Sequence, residues 1–170
     1  MHSYYARANT VFFTAVYSLA AVGVFYALLK VSKPFKGELI RFDNATVDEI
    51  MSDRYDRFVF PLISLNLAYD LRGDWDYNTR SLYAYIVVSF DGDHEQHDMI
   101  MWDKIIMSKE DAVFNKTIEN RYILFNDDRS IFGKEVTISF RYQIQPTVGF
   151  QRDFVFPNEQ KVLIPDRKSQ

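Results

Sequence analysis

The stretch from Glu135 to Gln145 reads EVTISFRYQIQ. Val136, Ile138, Phe140, Tyr142 and Ile144 alternate there with Thr137, Ser139, Arg141 and Gln143, and a period of two marks a half-buried strand. Working outward, a second strand is predicted through Leu65, Leu67, Tyr69 and Leu71, alternating with Ser64, Asn66, Ala68 and Asp70, entered at Pro61 and left at Gly73. The run Leu82 to Phe90, LYAYIVVSF, is apolar on both faces, which predicts a central strand covered on each side. Further strands are expected over Leu39 to Phe42, Asp98 to Met107, Tyr122 to Phe125, Phe150 to Phe156 and Lys161 to Ile164. Turn-like clusters separate them at Asp91-Gly92-Asp93, Asn126-Asp127-Asp128, Pro146 to Gly149 and Pro157-Asn158. Only Val47 to Asp53 and Ser108 to Asn120 look helical. Seven or eight short strands with regularly spaced turns predict a mainly β fold, an antiparallel β-sandwich over residues 38–170.

What precedes the sandwich is of another kind. Val11 to Leu29 runs VFFTAVYSLAAVGVFYALL, nineteen positions without a charge, with Arg7 before it and Lys30, Lys33 and Lys36 after it. As a helix it would cover ~28 Å at ~1.5 Å per residue, close to the ~30 Å hydrocarbon core of a bilayer. A belt without a polar face excludes an ordinary surface helix, and only a helix satisfies its own backbone groups in lipid. Thr14, Tyr17, Ser18 and Tyr26 carry the polar atoms of the run, while Ala20, Ala21 and Gly23 would let another helix approach closely. Ser18-Leu19-Ala20 before Ala21 has the small residues a signal-peptide cleavage site requires, but cutting there would leave nine further apolar residues, so a retained signal-anchor fits better. The expected organisation is a short tail (1–10), a transmembrane helix (11–29), a linker (30–37) and the sandwich (38–170).

The flanking lysines place the sandwich in the cytoplasm by the positive-inside rule. Two sequons, Asn44-Ala45-Thr46 and Asn115-Lys116-Thr117, point to a lumenal or extracellular domain instead and make Asn44 and Asn115 candidate glycosylation sites. Beyond Lys36 lie all 23 acidic residues and 16 of the 20 basic ones. A domain with that negative balance does not look like a nucleic-acid binder. There is no cysteine, which removes disulfides, thiolate chemistry and Cys-type zinc sites.

Chemistry-bearing motifs are sparse. Asp91 to Asp98, DGDHEQHD, offers metal-ligating side chains including His94 and His97, but its place between two strands makes it a solvated hairpin loop. It also lacks calcium-loop spacing. Ser64, Ser81, Ser89 and Ser139 fall on strand faces, where an exposed polar role is expected, and no nucleophile elbow surrounds any serine. The acidic pairs Asp74/Asp76 and Asp127/Asp128 lie in turns, where Asp serves local backbone bonding. No phosphate loop or dinucleotide fingerprint is present, and no cofactor is implied. Aromatic residues carry more information: Trp75, Tyr77, Tyr83 and Tyr85 cluster around one strand entry, and Trp102 lies in Met101 to Ile105. Such side chains form cores or, where exposed, interfaces, and Trp75, Tyr77 and Trp102 are the candidate partner contacts.

Several of these pieces recur in order in one family. Ala6-Arg7-Ala8-Asn9 precedes the anchor, Trp75-Asp76-Tyr77-Asn78 leads to Leu82-Tyr83 and Tyr85, and Met101-Trp102-Asp103-Lys104-Ile105 follows. Then come Tyr122 to Phe125 with Asp127-Asp128, Val136-Thr137, Pro146 to Gly149, and Val162 with Pro165-Asp166. From end to end the chain resembles the third subunit of the eukaryotic signal peptidase complex, the 22/23 kDa glycoprotein subunit family. The resemblance implies a single-pass type II protein of the endoplasmic reticulum membrane, with a cytosolic amino terminus and a lumenal domain. It also implies a non-catalytic accessory subunit, partnered by the catalytic subunit, the other membrane subunits and the lipid bilayer. Where relatives often carry a sequon just before Val-Thr, this chain has Glu135-Val136-Thr137. The competing reading is a membrane-anchored lumenal binding module, glycan- or chaperone-type, with a pocket lined by Trp or Tyr; a metalloenzyme using His94 and His97 is the third.

Overall fold

The computed structural model describes residues 3–31, 33–52, 59–91, 96–124 and 131–166. Among these residues there are one long helix, α1 (Tyr4–Val31), and seven strands: β1 (Glu38–Ser52), β2 (Val59–Asp70), β3 (Thr79–Asp91), β4 (Gln96–Ile106), β5 (Val113–Glu119), β6 (Glu135–Pro146) and β7 (Arg152–Leu163). Short 3-10 turns at Arg72–Asp74 and Glu110–Ala112 precede β3 and β5.

The helix is long and apolar enough over Tyr4–Leu29 to cross a membrane. The aliphatic hydroxyls of the apolar run turn back on the helix itself: Thr14 donates to the Thr10 carbonyl at 2.8 Å and Ser18 to the Thr14 carbonyl at 2.8 Å, which satisfies these two without a partner helix.

All strand pairs are antiparallel, and they form a sheet ordered β1-β2-β5 and a sheet ordered β4-β3-β6-β7. The antiparallel sandwich expected from the alternating runs is therefore present. Leu65, Leu67 and Tyr69 of β2 face Ile86 of β3 and Phe140 and Tyr142 of β6 across one core. Aromatic rings fill it: Tyr69 stacks on Phe140 at 5.2 Å, and Phe140 on Phe156 at 5.5 Å. As the run Leu82 to Phe90 predicts, β3 is central, between β4 and β6; the expected cover on each side is not met, since Tyr83 and Tyr85 on its outer face are only half-buried.

Several boundaries differ from expectation. Val47 to Ser52 continues β1 instead of forming a helix, because the sheet contacts of β2 outweigh the local helix-like spacing; Asp53 lies outside the described residues. Of Ser108 to Asn120, only Glu110–Ala112 is helical, and the remainder is largely β5. Tyr122 to Leu124 is irregular, since the Arg121 and Tyr122 amides donate to the Met101 carbonyl at 2.7 and 3.2 Å and hold the segment across β4; Phe125 lies outside the described residues. The two segments expected at 150–156 and 161–164 are largely one strand, β7.

Asp74 joins the anchor to the sandwich. Its carboxylate accepts the Lys36 amide at 3.0 Å, the Gly37 amide at 2.7 Å and the Tyr142 hydroxyl at 2.6 Å. Next to it the Arg152 guanidinium donates to the Lys33 carbonyl and lies 4.3 Å from the Phe35 ring centre.

Candidate partner interface

The register gives the rows of side chains on the outer face of the four-stranded sheet. Ile105, Tyr83, Gln143 and Asp153 form one row; Asp103, Tyr85, Arg141 and Val155 the next; Ile100, Val87, Ser139 and Glu159 the third. The half built on β3 and β4 is rich in apolar and aromatic side chains, with Asp103 among them and Asp98 beside Ser89 in a fourth row. Tyr83 and Tyr85, two residues apart on one strand and so on one face, stack at 5.1 Å between ring centres. Ile105 beside them is 62% exposed, and Ile100 is also exposed. Asp103 lies at the centre, accepting the Tyr122 hydroxyl at 2.9 Å and the Arg121 guanidinium at 3.2 Å. Burial first, then the Asp103 charge, pushes the Tyr83 hydroxyl above the ordinary tyrosine value; for Tyr122 the hydrogen bond to Asp103 comes first. Ordered aromatic rings with polar tips lose little freedom on being covered, and they carry much of the contact energy in protein interfaces.

The outer face of the three-stranded sheet has the opposite character. Arg41, Asp43, Thr46, Ser64, Asn66, Asn115, Thr117 and Glu119 occupy it. Asn66 ties its strands together, donating to Asp43 at 3.1 Å and accepting the Thr117 hydroxyl at 2.8 Å. Asn44 is exposed at a bulge in β1 with φ 53°, a backbone region that Asn tolerates better than most residues. Asn115 is exposed on β5, opposite Ala68. Both candidate glycosylation sites thus belong to the polar side of the sandwich.

The three candidate contacts are distributed differently. Tyr77 is strongly exposed and its ring lies 6.0 Å from that of Tyr26 on α1. Trp75, on the same turn, is half-buried against the core. Trp102 is 9% exposed, with its ring 5.4 Å from Phe114, and so packs inside the sandwich. It pairs with Ile86, seven residues along β3 from Thr79, roughly 23 Å from the turn that carries Tyr77 at ~3.3 Å per residue. The outer-face rows of β3 and β4 escaped the sequence reading as a surface, although two tyrosines at i and i+2 within an all-apolar run were the available signal.

The remaining motifs have structural employment. Ser81, Ser89 and Ser139 are buried, not exposed as expected, because neighbouring side chains fold over them: Ser81 donates to Gln145 at 2.9 Å, Ser89 to Asp98 at 2.6 Å, and Arg141 donates to Ser139 at 3.2 Å. Ser64 is half-buried, within 3.2 Å of the Thr46 hydroxyl. Asp76 accepts the Asn78 amide at 2.9 Å, as an Asp in a turn should. His97 packs its ring 5.4 Å from Phe90, whereas His94 and the pair Asp127/Asp128 lie outside the described residues. A cavity of about 480 Å³ beside Thr79 is lined by Lys33, Asp74, Ile144 and Arg152 among others, with neither Trp nor Tyr among the described residues of its walls. Phe150 is the aromatic residue among those described walls, whereas the binding-module reading anticipates Trp or Tyr.

Comparison with known sequences bears on the same features. The signal peptidase complex subunit 3 of Schizosaccharomyces pombe is 33% identical over 93 residues, covering 52% of this chain and 50% of the relative. The Debaryomyces hansenii protein of the same name is 30% identical over 90 residues, so this chain spans about half the length of the yeast relatives it matches. The human signal peptidase complex subunit 3 is 23% identical over 156 residues, covering 88% of this chain and 86% of the relative. The sequence profile described as signal peptidase subunit matches residues 1–167, nearly the whole of the anchor and sandwich described above, and the chain belongs to the signal peptidase subunit family.

Proposed function

We propose that the protein is a non-catalytic accessory subunit of the signal peptidase complex in the endoplasmic reticulum membrane. In this reading α1 is a signal-anchor, the amino terminus is cytosolic and the sandwich is lumenal, where it braces the serine-protease subunit that removes signal peptides. The observation that carries it is the contrast between the two outer faces, in a chain of this family. One face presents stacked Tyr83 and Tyr85 beside exposed Ile105, and the other is polar and bears both sequons. An aromatic patch of this kind fits a protein partner, while a polar face tolerates glycans and water. The carboxylates of Asp74, Asp76, Asp98 and Asp103 are engaged within the fold, each holding a side chain or backbone amide in place.

Purification of the tagged full-length protein in mild detergent is expected to recover the protease subunit; recovery without any protease would overturn the reading. Ile105→Asp combined with Tyr83→Ala is expected to lower that recovery more than tenfold, since an interfacial aromatic and an apolar anchor are lost. Ile40→Asp, the same kind of change at an exposed position in β1, is expected to leave it unchanged.

Orientation is checked independently. Trypsin added to sealed microsomes is expected to spare the sandwich, and digestion of it would place the domain in the cytoplasm. Endoglycosidase treatment is expected to raise gel mobility in two steps, one abolished by Asn44→Gln and the other by Asn115→Gln.

A further inference from the structure

The turn at Trp75 to Asn78 and the loop at Thr147 to Phe150 are bolted into one unit by Asn78. Its side-chain amide donates to the Val148 carbonyl at 2.8 Å, its side-chain oxygen accepts the Val148 amide at 3.0 Å, and its own carbonyl accepts the Thr147 amide at 2.7 Å. Asn78 is buried, so these bonds are shielded from water. Gly149 adopts φ +113°, which few other residues would accept, and fixes the loop's shape. The result is a preformed rim whose tips are apolar and exposed: Tyr77 at 86%, Val148 at 50% and Phe150 at 66%.

The rim meets the helix within its apolar stretch. Tyr77 lies 6.0 Å from Tyr26 between ring centres, and a Cβ on Gly149 would stand only 3.4 Å from the Ala27 Cβ. Ala27 is accordingly buried on a helix that is otherwise largely exposed. Leu29 ends the apolar run, so at ~1.5 Å per residue these contacts lie ~3 to 5 Å inside it, measured along the helix. Polar loops do not belong at that depth, but Tyr, Val and Phe do. Just beyond, Lys33, Lys36 and Arg152 border the cavity of about 480 Å³ that opens behind the rim. The acidic walls of that cavity, Asp74 and Asp76, accept hydrogen bonds from the protein's own backbone and hydroxyls.

We propose that this rim is a second membrane contact: Tyr77, Val148 and Phe150 seat at the boundary of headgroups and acyl chains in the leaflet on the sandwich side, and Lys33, Lys36 and Arg152 hold the phosphate of a phospholipid headgroup. The occupant is lipid because the helix that sets the depth of the rim is the one that crosses the membrane. Amphipathic surfaces of this composition bury ~5 to 10 Å into the interface. With two fixed points the sandwich cannot swivel about its anchor, and the aromatic face of β3 and β4 keeps one bearing relative to the membrane plane.

Because the chain has no cysteine, single labels can be placed without background. The full-length protein carrying an environment-sensitive fluorophore at Val148→Cys or Phe150→Cys is reconstituted into phosphatidylcholine and phosphatidylserine vesicles, with Leu163→Cys, exposed at the far end of β7, as the reference. Labels at 148 and 150 are expected to be quenched by nitroxide carried near the lipid headgroup and spared by aqueous iodide, and the label at 163 the reverse. Identical behaviour at all three positions would overturn the proposal, as would labels at 148 and 150 that escape both quenchers, the sign of a covering protein. For the phosphate, native mass spectrometry of the detergent-extracted chain is expected to show severalfold less retained phospholipid in the Lys33→Gln/Lys36→Gln variant. Unchanged retention would remove those lysines from the site.

Discussion

Asp74→Ala is expected to lower the stability of the folded domain by about 3 to 5 kcal/mol. The carboxylate receives the Gly37 amide at 2.7 Å, the Tyr142 hydroxyl at 2.6 Å and the Lys36 amide at 3.0 Å. A hydrogen bond to a charged acceptor contributes about 1.5 to 3 kcal/mol, and a buried donor left unpaired costs about 1 to 3 kcal/mol. Tyr142 is fully buried, and packing around its hydroxyl is tight on the Gly37 side. A Cβ there would stand 2.7 Å from Leu71 Cδ2 and 2.8 Å from the Tyr142 oxygen. The three losses share one acceptor and do not add in full. Against a total of about 5 to 15 kcal/mol the change is large. Urea unfolding of the full-length protein in mild detergent, followed by tryptophan fluorescence, measures it. Asp74→Asn, which keeps the size and one acceptor, is expected to lose about half as much. A change below about 0.5 kcal/mol for the alanine variant would mean that the joint between linker and sandwich is not held by this carboxylate.

This joint shows where the sequence was mute. Asp74 stands in Arg72-Gly73-Asp74, which signals a turn, and nothing local reveals that its partners lie 37 and 68 residues away in Gly37 and Tyr142. Strands with unbroken alternation, β6 above all, were legible because one face is core and the other is not. The strand β1 was legible only at its start. Register shifts between Asp43 and Thr46 and between Val47 and Glu49 break its period, and the resulting spacing of Val47, Ile50 and Met51 imitates a helix. In β7 the break at Pro157 read as a turn between two strands. The ladder instead skips there, passing from the Ser139–Glu159 pair to the Arg141–Val155 pair, and a proline is tolerated where an edge strand bulges. The strand β5 lies at a sheet edge and places Lys116 opposite Leu67, so its alternation is blurred by charge. For the surface the same physics applies. A run apolar on both faces identified β3 as central, but whether its outer aromatics are covered depends on what lies over the sheet, which no pattern within the strand records.

Alkaline solution is expected to destabilise the fold steeply, beginning near pH 10. Burial holds the Tyr69 hydroxyl above the ordinary value of 10.0. The Tyr142 hydroxyl is raised likewise, first by burial and then by the Asp74 carboxylate to which it donates. For both groups the folded-state value exceeds the unfolded one. Their contribution is therefore fully present below pH 10 and is lost as the pH rises past it, because the unfolded chain releases protons that the fold retains. Each tyrosine adds a slope of about 1.4 kcal/mol per pH unit, so the pair gives about 2.7 kcal/mol per unit until the folded state itself ionises. Over one and a half units this amounts to about 4 kcal/mol. Tyr83 and Tyr122 lean the same way beside Asp103, but their greater exposure lets water screen the effect. Two variants separate the contributions. Tyr69→Phe is expected to halve the alkaline slope and to raise stability at pH 7 by about 1 kcal/mol, since its buried hydroxyl has no hydrogen-bond partner among the described residues. Tyr142→Phe is expected to halve the slope as well but to lose stability at pH 7, because Asp74 then lacks a donor. Urea midpoints at pH 8, 10 and 11 give all three quantities. A slope that Tyr69→Phe leaves unchanged would show that this phenol is not what the fold protects from ionisation.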